Sequence, residues 1–171
     1  AKLVSQKTDK ALFLLVGPSG HDEPDSISLD RLKSLKGNIK YLGVRDDIYE
    51  LMNACDYFVL PTAYREGVPR AMLEALVVGL PIVVSDMPGC REGVYSGSNG
   101  WLVPPNDVLA LADAIHECLN TDSNKREYMV KVGQDYATDT FGIDQVTSAM
   151  DKLYKNMLSN KLKAFNEKFK D

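Results

Sequence analysis

Two carboxylates, Glu66 and Glu74, lie eight positions apart in a stretch that also carries signals for a turn and a helix. Pro69 suits the start of a helix because its missing N–H would have no acceptor there. Gly79 followed by Pro81 is typical of a helix end. The pattern predicts a helix that begins at Pro69, with Glu66 on the loop before it and Glu74 within it.

The beginning of this helix is predicted to lack a side-chain cap. Val68, directly before Pro69, has no oxygen that could accept from the free N–H groups of the first turn. Free amides and about half a unit of positive charge at a helix N-terminus suit a phosphate group. Carboxylates instead hold hydroxyl groups through charge-assisted hydrogen bonds. A nucleotide sugar, with a diphosphate between two sets of hydroxyls, fits this arrangement.

The stretch resembles the retaining glycosyltransferases of the two-domain GT-B architecture, in the large group (group 1, family 4-like) marked by a Glu, seven residues and a second Glu. The shared motifs are Glu66 to Glu74, the Glu-Gly pair at 66–67, the Gly-Leu-Pro-Ile-Val run at 79–83, and the segments 86–92 and 99–105. The resemblance covers nearly the whole chain. It implies the C-terminal, donor-binding domain of such an enzyme, which uses a UDP- or GDP-sugar and generally needs no metal or other cofactor.

The resemblance also implies a role for each residue around the helix start. Glu66 is the expected catalytic group, contacting hydroxyls of the donor sugar near the reacting carbon, and Glu74 is expected to hold the ribose hydroxyls. The N–H groups of Gly67 and Val68, with the helix beginning at Pro69, are expected to stabilise the charge that grows on the departing diphosphate. Gly67 has no side chain, which lets a ligand approach the backbone closely.

Each acid also has a structural interpretation that the sequence leaves open. Glu66 can be a solvated acid on a loop. Glu74 can form an ion pair with Arg70, four residues earlier on the same helix.

A second motif follows this helix. Gly89 lies where the resembled enzymes place a glycine next to the sugar, and Glu92 where they place an acid that opens a short helix. Pro88 departs from the pattern, because many relatives have another glycine there. The identity of the sugar is therefore left open, as are the base, the acceptor and the linkage.

Short apolar runs alternate with segments of helical period along the chain. The runs predict strands at 11–16, 39–42, 57–60, 82–85 and 100–103, and the segments between them predict helices at 28–35, 47–53, 69–78 and 106–119. This alternation is typical of an α/β fold, a Rossmann-like parallel sheet with helices on both faces. From about residue 123 the chain is predicted to be helical to its end, with a break near 138–142.

In open α/β sheets the ligand binds at the carboxyl ends of the strands, so the loops after the first four strands are expected to surround one crevice. These loops add Gly17, Arg45 and Thr62 to the candidate donor-binding residues. Arg45 could hydrogen-bond or stack on the nucleobase. It could equally be a surface cation beside Asp46 and Asp47.

Composition limits the class of protein. At 171 residues and 44% hydrophobic content, the chain suits one domain, predicted at 1–158, followed by a basic helical tail at 159–171. A net charge of −4 argues against a nucleic-acid partner. The absence of a long apolar run or a signal peptide predicts a cytoplasmic location. The last 20 residues carry six Lys against one Glu and one Asp, so peripheral contact with the inner membrane face is one interpretation, and a solvated helix is the other.

Metal and nucleophile signals are weak. The two histidines, His21 and His116, have no carboxylate or cysteine at ligand spacing, and the three cysteines are far apart. We therefore expect no metal site and no catalytic triad.

The first strand comes after only about ten residues, so we expect the opening strand of the Rossmann unit to be missing from this chain. The resemblance then places the acceptor-binding N-terminal domain, and the Arg and Lys that neutralise the diphosphate, outside it. The fragment alone is expected to be inactive. Two other functions are left open: a glycoside hydrolase that uses the two acids, and a non-catalytic nucleotide-binding or interaction module.

Overall fold

The computed structural model describes residues 1–19, 27–95 and 97–168. His21 and the last three residues of the predicted tail lie outside the described residues. The elements in chain order are α1 (Lys2–Ser5), β1 (Phe13–Val16), α2 (Leu29–Lys33), β2 (Ile39–Gly43), α3 (Ile48–Asn53), β3 (Phe58–Leu60), α4 (Arg70–Val78), β4 (Ile82–Ser85), a 3₁₀ turn (Arg91–Gly93), β5 (Gly100–Val103), α5 (Val108–Leu119), α6 (Ser123–Phe141) and α7 (Ile143–Lys168).

The strands are all parallel and lie in two sheets. β1 pairs with β2, and β4 lies between β3 and β5 in the second sheet. The predicted α/β fold is confirmed, and each predicted strand and helix from 11 to 119 is found within two residues of its expected ends. Val4, Ala11 and Ile115 form a buried cluster against which Phe13 of β1 and Val59 of β3 both pack. The two sheets therefore share part of one core.

Helices cover both faces of the second sheet. On β4, Ile82 and Val84 pack in a cluster with Met72 and Leu76 of α4. Val83, whose side chain points to the other face, packs in a cluster with residues of α5. All of β4 is buried, which is typical of a central parallel strand.

Helix α4 is the element that positions the candidate site. It ends as predicted, because Gly79 adopts a left-handed conformation with φ of +99°. Its start corrects the sequence prediction by one residue: Pro69 is the N-cap, with ψ of 124°, and the helix begins at Arg70. The carbonyl of Pro69 accepts from the N–H groups of Met72 and Leu73 at 3.1 and 3.2 Å. No side chain caps the helix, as the sequence predicted.

The C-terminal helices meet at the predicted break. Gly142, with ψ of 143°, ends α6, and α7 begins at the next residue. Helix α7 runs across residues 158 and 159 without interruption. Its exposed apolar side chains include Ile143, Met150 and Leu153. Across the described residues, no helix combines the length and apolar character needed to cross a membrane.

Candidate active site

The loop between β3 and α4 carries the first candidate residues. Glu66 and Gly67 are exposed, Val68 is half-buried against the core cluster below α4, and Pro69 is buried. Earlier in the loop, the hydroxyl of Thr62 accepts from the N–H of Tyr64 at 3.1 Å. The loop is therefore anchored at its helical end, and Glu66 and Gly67 are presented to solvent.

The turn after β4 lies against this loop. Gly89 is buried and has a φ of +93°. A Cβ atom added to Gly89 would lie 2.6 Å from the carbonyl oxygen of Glu66, and closer still to that of Gly67. Only glycine tolerates both this conformation and this approach. The structure thus brings together Glu66, Gly67 and Gly89, which the sequence analysis took from two separate motifs.

Hydrogen bonds and an ion pair hold the turn after β4. Glu92 lies in the 3₁₀ turn, and its Oε2 accepts from the N–H of Gly89 at 2.6 Å. The Nε of Arg91 lies 2.8 Å from Oδ1 of Asp86. The hydroxyl of Tyr136 on α6 donates to the carbonyl of Glu92 at 2.9 Å. Tyr136 could not be predicted from the sequence, because no local pattern shows that a residue 44 positions away reaches this turn.

Cys90 lies close to the two acids of these loops. It is fully buried, and burial raises the pKa of its thiol, with a further contribution from the charges of Glu66 and Glu92. Cys90 therefore stays protonated at neutral pH and is a poor nucleophile.

Glu74 pairs with Arg70, the structural alternative that the sequence left open. The Nε of Arg70 lies 2.8 Å from Oε1 of Glu74, and the side chains are 88% and 22% exposed. Because Arg70 is exposed, a pair at this helical spacing contributes only about 0.3–0.5 kcal/mol. A ligand hydroxyl can therefore replace Arg70 at little cost. The ribose contact of Glu74 stays a prediction.

Arg45 is also engaged at the surface. Its Nε donates to Oδ1 of Asp47 at 2.7 Å, and a second bond joins Nη2 to Oδ2. The hydrogen bond with Asp47 raises the pKa of Arg45, and the same bond lowers the pKa of Asp47. The structure shows the surface cation that the sequence analysis considered, and a base contact stays a prediction.

Gly17 directly follows β1, in the loop predicted to border the crevice. Its N–H donates to the carbonyl of Gly43, and its carbonyl accepts from the hydroxyl of Tyr41, both at 2.9 Å. These bonds join the carboxyl ends of β1 and β2. Each candidate residue before α4 therefore follows a strand end, as the sequence predicted.

Among the described residues, no group of three or more His, Cys, Asp or Glu is arranged to hold a metal ion. The chemistry that these loops offer is that of carboxylates, backbone amides and the positive end of a helix.

Residues 1–121 match the protein family described as Glycosyl transferases group 1. The chain belongs to this glycosyltransferase family. It is 37% identical over 155 residues to the N,N'-diacetylbacillosaminyl-diphospho-undecaprenol alpha-1,3-N-acetylgalactosaminyltransferase of Campylobacter jejuni, covering 89% of the chain and 39% of that enzyme. It is 34% identical over 151 residues to the UDP-Gal:alpha-D-GlcNAc-diphosphoundecaprenol alpha-1,3-galactosyltransferase of Escherichia coli, covering 88% and 38%. The chain spans about two fifths of the length of these relatives.

The fold of this glycosyltransferase chain is similar to that of solved GT-B enzymes. The crystal structure of Anabaena Alr3699/HepE in complex with UDP superposes with a TM-score of 0.79 and 27% identity, covering 91% of the chain and 43% of that protein. A complex of the same Anabaena protein with UDP-glucose gives a TM-score of 0.76. The family and fold expected from the Glu66 to Glu74 motif are thus confirmed.

Proposed function

We propose that this chain is the donor-binding domain of a retaining glycosyltransferase, which moves a sugar from a UDP-sugar to a saccharide or lipid-linked acceptor. The observation that carries the proposal is the junction of two loops at the uncapped start of α4. There the backbone of Glu66 and Gly67 lies against Gly89. A carboxylate, backbone amides and a positive helix end meet at this point.

The chemistry follows from where charge develops. The bond between the anomeric carbon and the diphosphate oxygen breaks, and the diphosphate leaves with the electron pair. The oxygen of an acceptor hydroxyl bonds to that carbon, and its proton passes to an oxygen of the leaving diphosphate. The free N–H groups of the first turn of α4, together with Gly67, stabilise the leaving diphosphate without a metal. Glu66 orients the hydroxyls of the sugar, whose ring becomes cation-like in the transition state.

A uridine donor is favoured over a guanosine donor. The Anabaena protein is described in complexes with UDP and with UDP-glucose, and the Escherichia coli relative is described as using UDP-Gal. The Anabaena protein shares the fold of this chain, and the Escherichia coli relative shares 34% of the aligned residues. The donor sugar itself is left open by Pro88, which departs from the family pattern next to Gly89.

A lipid-linked acceptor is favoured because the names of both relatives above specify diphosphoundecaprenol substrates. Helix α7 supports peripheral contact with the cytoplasmic face of a membrane. It carries exposed Met150, Leu153 and Met157 on one side, and exposed Lys161 lies on the same side, one turn after Met157. An amphipathic helix of this kind binds anionic lipid surfaces through both features.

A titration with nucleotide sugars tests the proposed function. This 171-residue chain should bind UDP-glucose weakly, with a Kd on the order of 1 mM, and should bind GDP-glucose and ADP-glucose more weakly still. It should transfer no sugar by itself. NMR titration and a transfer assay measure both properties. Hydrolysis of a glycoside without nucleotide would instead favour a hydrolase, and no binding of any nucleotide sugar would contradict the proposal.

A further inference from the structure

We propose that Gly89 and Glu92 are positioning residues, which hold the backbone of Glu66 and Gly67 in place for the sugar and diphosphate of the donor. This inference rests on the proposed function. It gives the turn after β4 a role beyond that of a neighbour of the sugar, because the turn supports the loop that carries the expected catalytic acid.

The two loops contact each other through their backbones. Gly89 presents its Cα to the carbonyl oxygens of Glu66 and Gly67, with no room for a Cβ atom. Both facing groups are backbone, so neither can rotate aside as the tip of a flexible side chain would. Glu66 and Gly67 are otherwise exposed. The position of their peptide therefore depends on the position of Gly89.

Gly89 is in turn held by Glu92. Its N–H donates to the Glu92 carboxylate at 2.6 Å, a short charge-assisted hydrogen bond. The carbonyl of Glu92 accepts from the hydroxyl of Tyr136 on α6. A continuous series of contacts thus leads from α6 through Glu92 and Gly89 to Glu66.

The far end of the turn is fixed to the sheet. Asn99 is fully buried, and its Nδ2 donates to the carbonyl of Gly93 at 2.9 Å. Its Oδ1 accepts from the N–H of Tyr95 at 2.8 Å, and its own carbonyl accepts from the N–H of Ile82 at the start of β4. The turn is therefore held at both ends, which is how a supporting layer keeps a site in its productive geometry.

A displaced loop should affect one part of the ligand more than another. Glu66 and Gly67 lie on the supported loop, whereas Glu74, the proposed ribose contact, lies on α4. A shift of about 1 Å in a site can cost about 100-fold in function. Loss of the support should therefore weaken recognition of the sugar and diphosphate and spare the nucleoside, whereas a general loss of structure would weaken both.

The test compares Gly89→Ala with Gly97→Ala in this chain. Both glycines have a positive φ, of +93° and +73°, so both variants carry the same kind of backbone strain. Among the described residues, a Cβ atom at Gly97 would meet no atom within 4 Å apart from those of Gly97 and its chain neighbours. By NMR titration, Gly89→Ala should weaken UDP-glucose binding about tenfold and leave uridine binding within about twofold. Gly97→Ala should change neither. Equal effects of the two variants on UDP-glucose would overturn the inference.

A second pair of variants avoids the risk that Gly89→Ala fails to fold. Glu92→Gln keeps an oxygen that can accept from the N–H of Gly89, and Glu92→Ala removes it. Glu92→Ala should reproduce the selective loss of UDP-glucose binding, and Glu92→Gln should restore most of it. Unchanged UDP-glucose binding in Glu92→Ala would contradict the role of Glu92.

A measurement without ligand separates this inference from the proposed function. If the unaltered chain binds no UDP-glucose, the proposed function fails. The amide resonance of Gly67 still tests the support: it should shift in Gly89→Ala and Glu92→Ala and stay unchanged in Gly97→Ala. A Gly67 resonance that does not respond to Gly89→Ala overturns the inference.

Discussion

Arg70 and Glu74 form an ion pair across one turn of α4, and its weakness matters for the proposed site. Arg70 is almost fully exposed, so solvent competes with Glu74 for the guanidinium. A ribose with two adjacent hydroxyls can therefore take the place of the guanidinium. Glu66 lies on an exposed loop. Within residues 1–19, 27–95 and 97–161, its side chain forms no hydrogen bond or ion pair that a ligand would have to break.

The two acids should differ in kinetic effect within a full-length transferase that contains this chain. Glu66→Ala should lower kcat about 100-fold with little change in KM, because its contacts strengthen as the sugar becomes cation-like. Glu74→Ala should mainly raise the KM for the donor, about tenfold. Steady-state kinetics with varied donor measures both. The control is Glu127→Ala, an exposed acid on α6. Wild-type kinetics in both variants would exclude the two acids from the site.

The sequence predicted which residues meet here better than it predicted their partners. Gly89 and Glu66 could be assigned to one site because each belongs to a motif at the end of a parallel strand. The partners of Arg45 and Glu74 depend on side-chain rotamers at the surface, where several acceptors are in reach. The sequence therefore offered two interpretations for each, and the structure shows the surface pairs.

At the scale of the elements, α4 joins the site to the core. Its exposed end faces the proposed ligand, and its buried side packs on β4 through Met72, Ala75 and Leu76. Gly133 of α6 lets the two helices approach, because a Cβ atom there would lie 3.1 Å from Leu76 Cδ2. The position of the free amides is therefore fixed by packing below the helix.

Adjacent residues of α4 give a direct test of this packing. Leu76 is 1% exposed and Val77 is 55% exposed. Leu76→Ala should lower the free energy of unfolding by about 2–5 kcal/mol, because it leaves a cavity between α4, β4 and α6. Val77→Ala should change it by less than about 0.5 kcal/mol. Urea unfolding followed by circular dichroism measures both. Similar losses in the two variants would contradict the core described here.

Elements with strong local signals were the easiest to predict. Pro69 and Gly79 mark the ends of α4 through backbone chemistry that acts within a few residues. The apolar run at 82–84 marks β4. The start of α4 was predicted one residue early, because proline suits both the cap and the first turn. The contact of Tyr136 with Glu92 could not be predicted, since it depends on how α6 packs on the rest of the fold.

At the scale of the whole molecule, the strands form two sheets, and the chain spans about two fifths of the length of the two transferases named above. The donor and the acceptor of the reaction are therefore part of the function proposed above. Helix α7 exposes several large apolar side chains, and Ile143, Leu153 and Leu158 are each more than half exposed. The proposed membrane contact requires that this face of α7 binds a lipid surface.

Vesicle binding tests that contact. The chain should co-sediment with vesicles of phosphatidylcholine and phosphatidylserine more than with phosphatidylcholine alone, and should be released by high salt, because screening weakens the attraction between Lys and anionic lipid. Each Lys near the surface contributes about 1 kcal/mol, so Lys161→Gln should weaken binding roughly fivefold. The matched control is Lys131→Gln, which removes the same charge from outside α7. Equal losses in the two variants, or equal binding to both vesicles, would contradict membrane contact through α7.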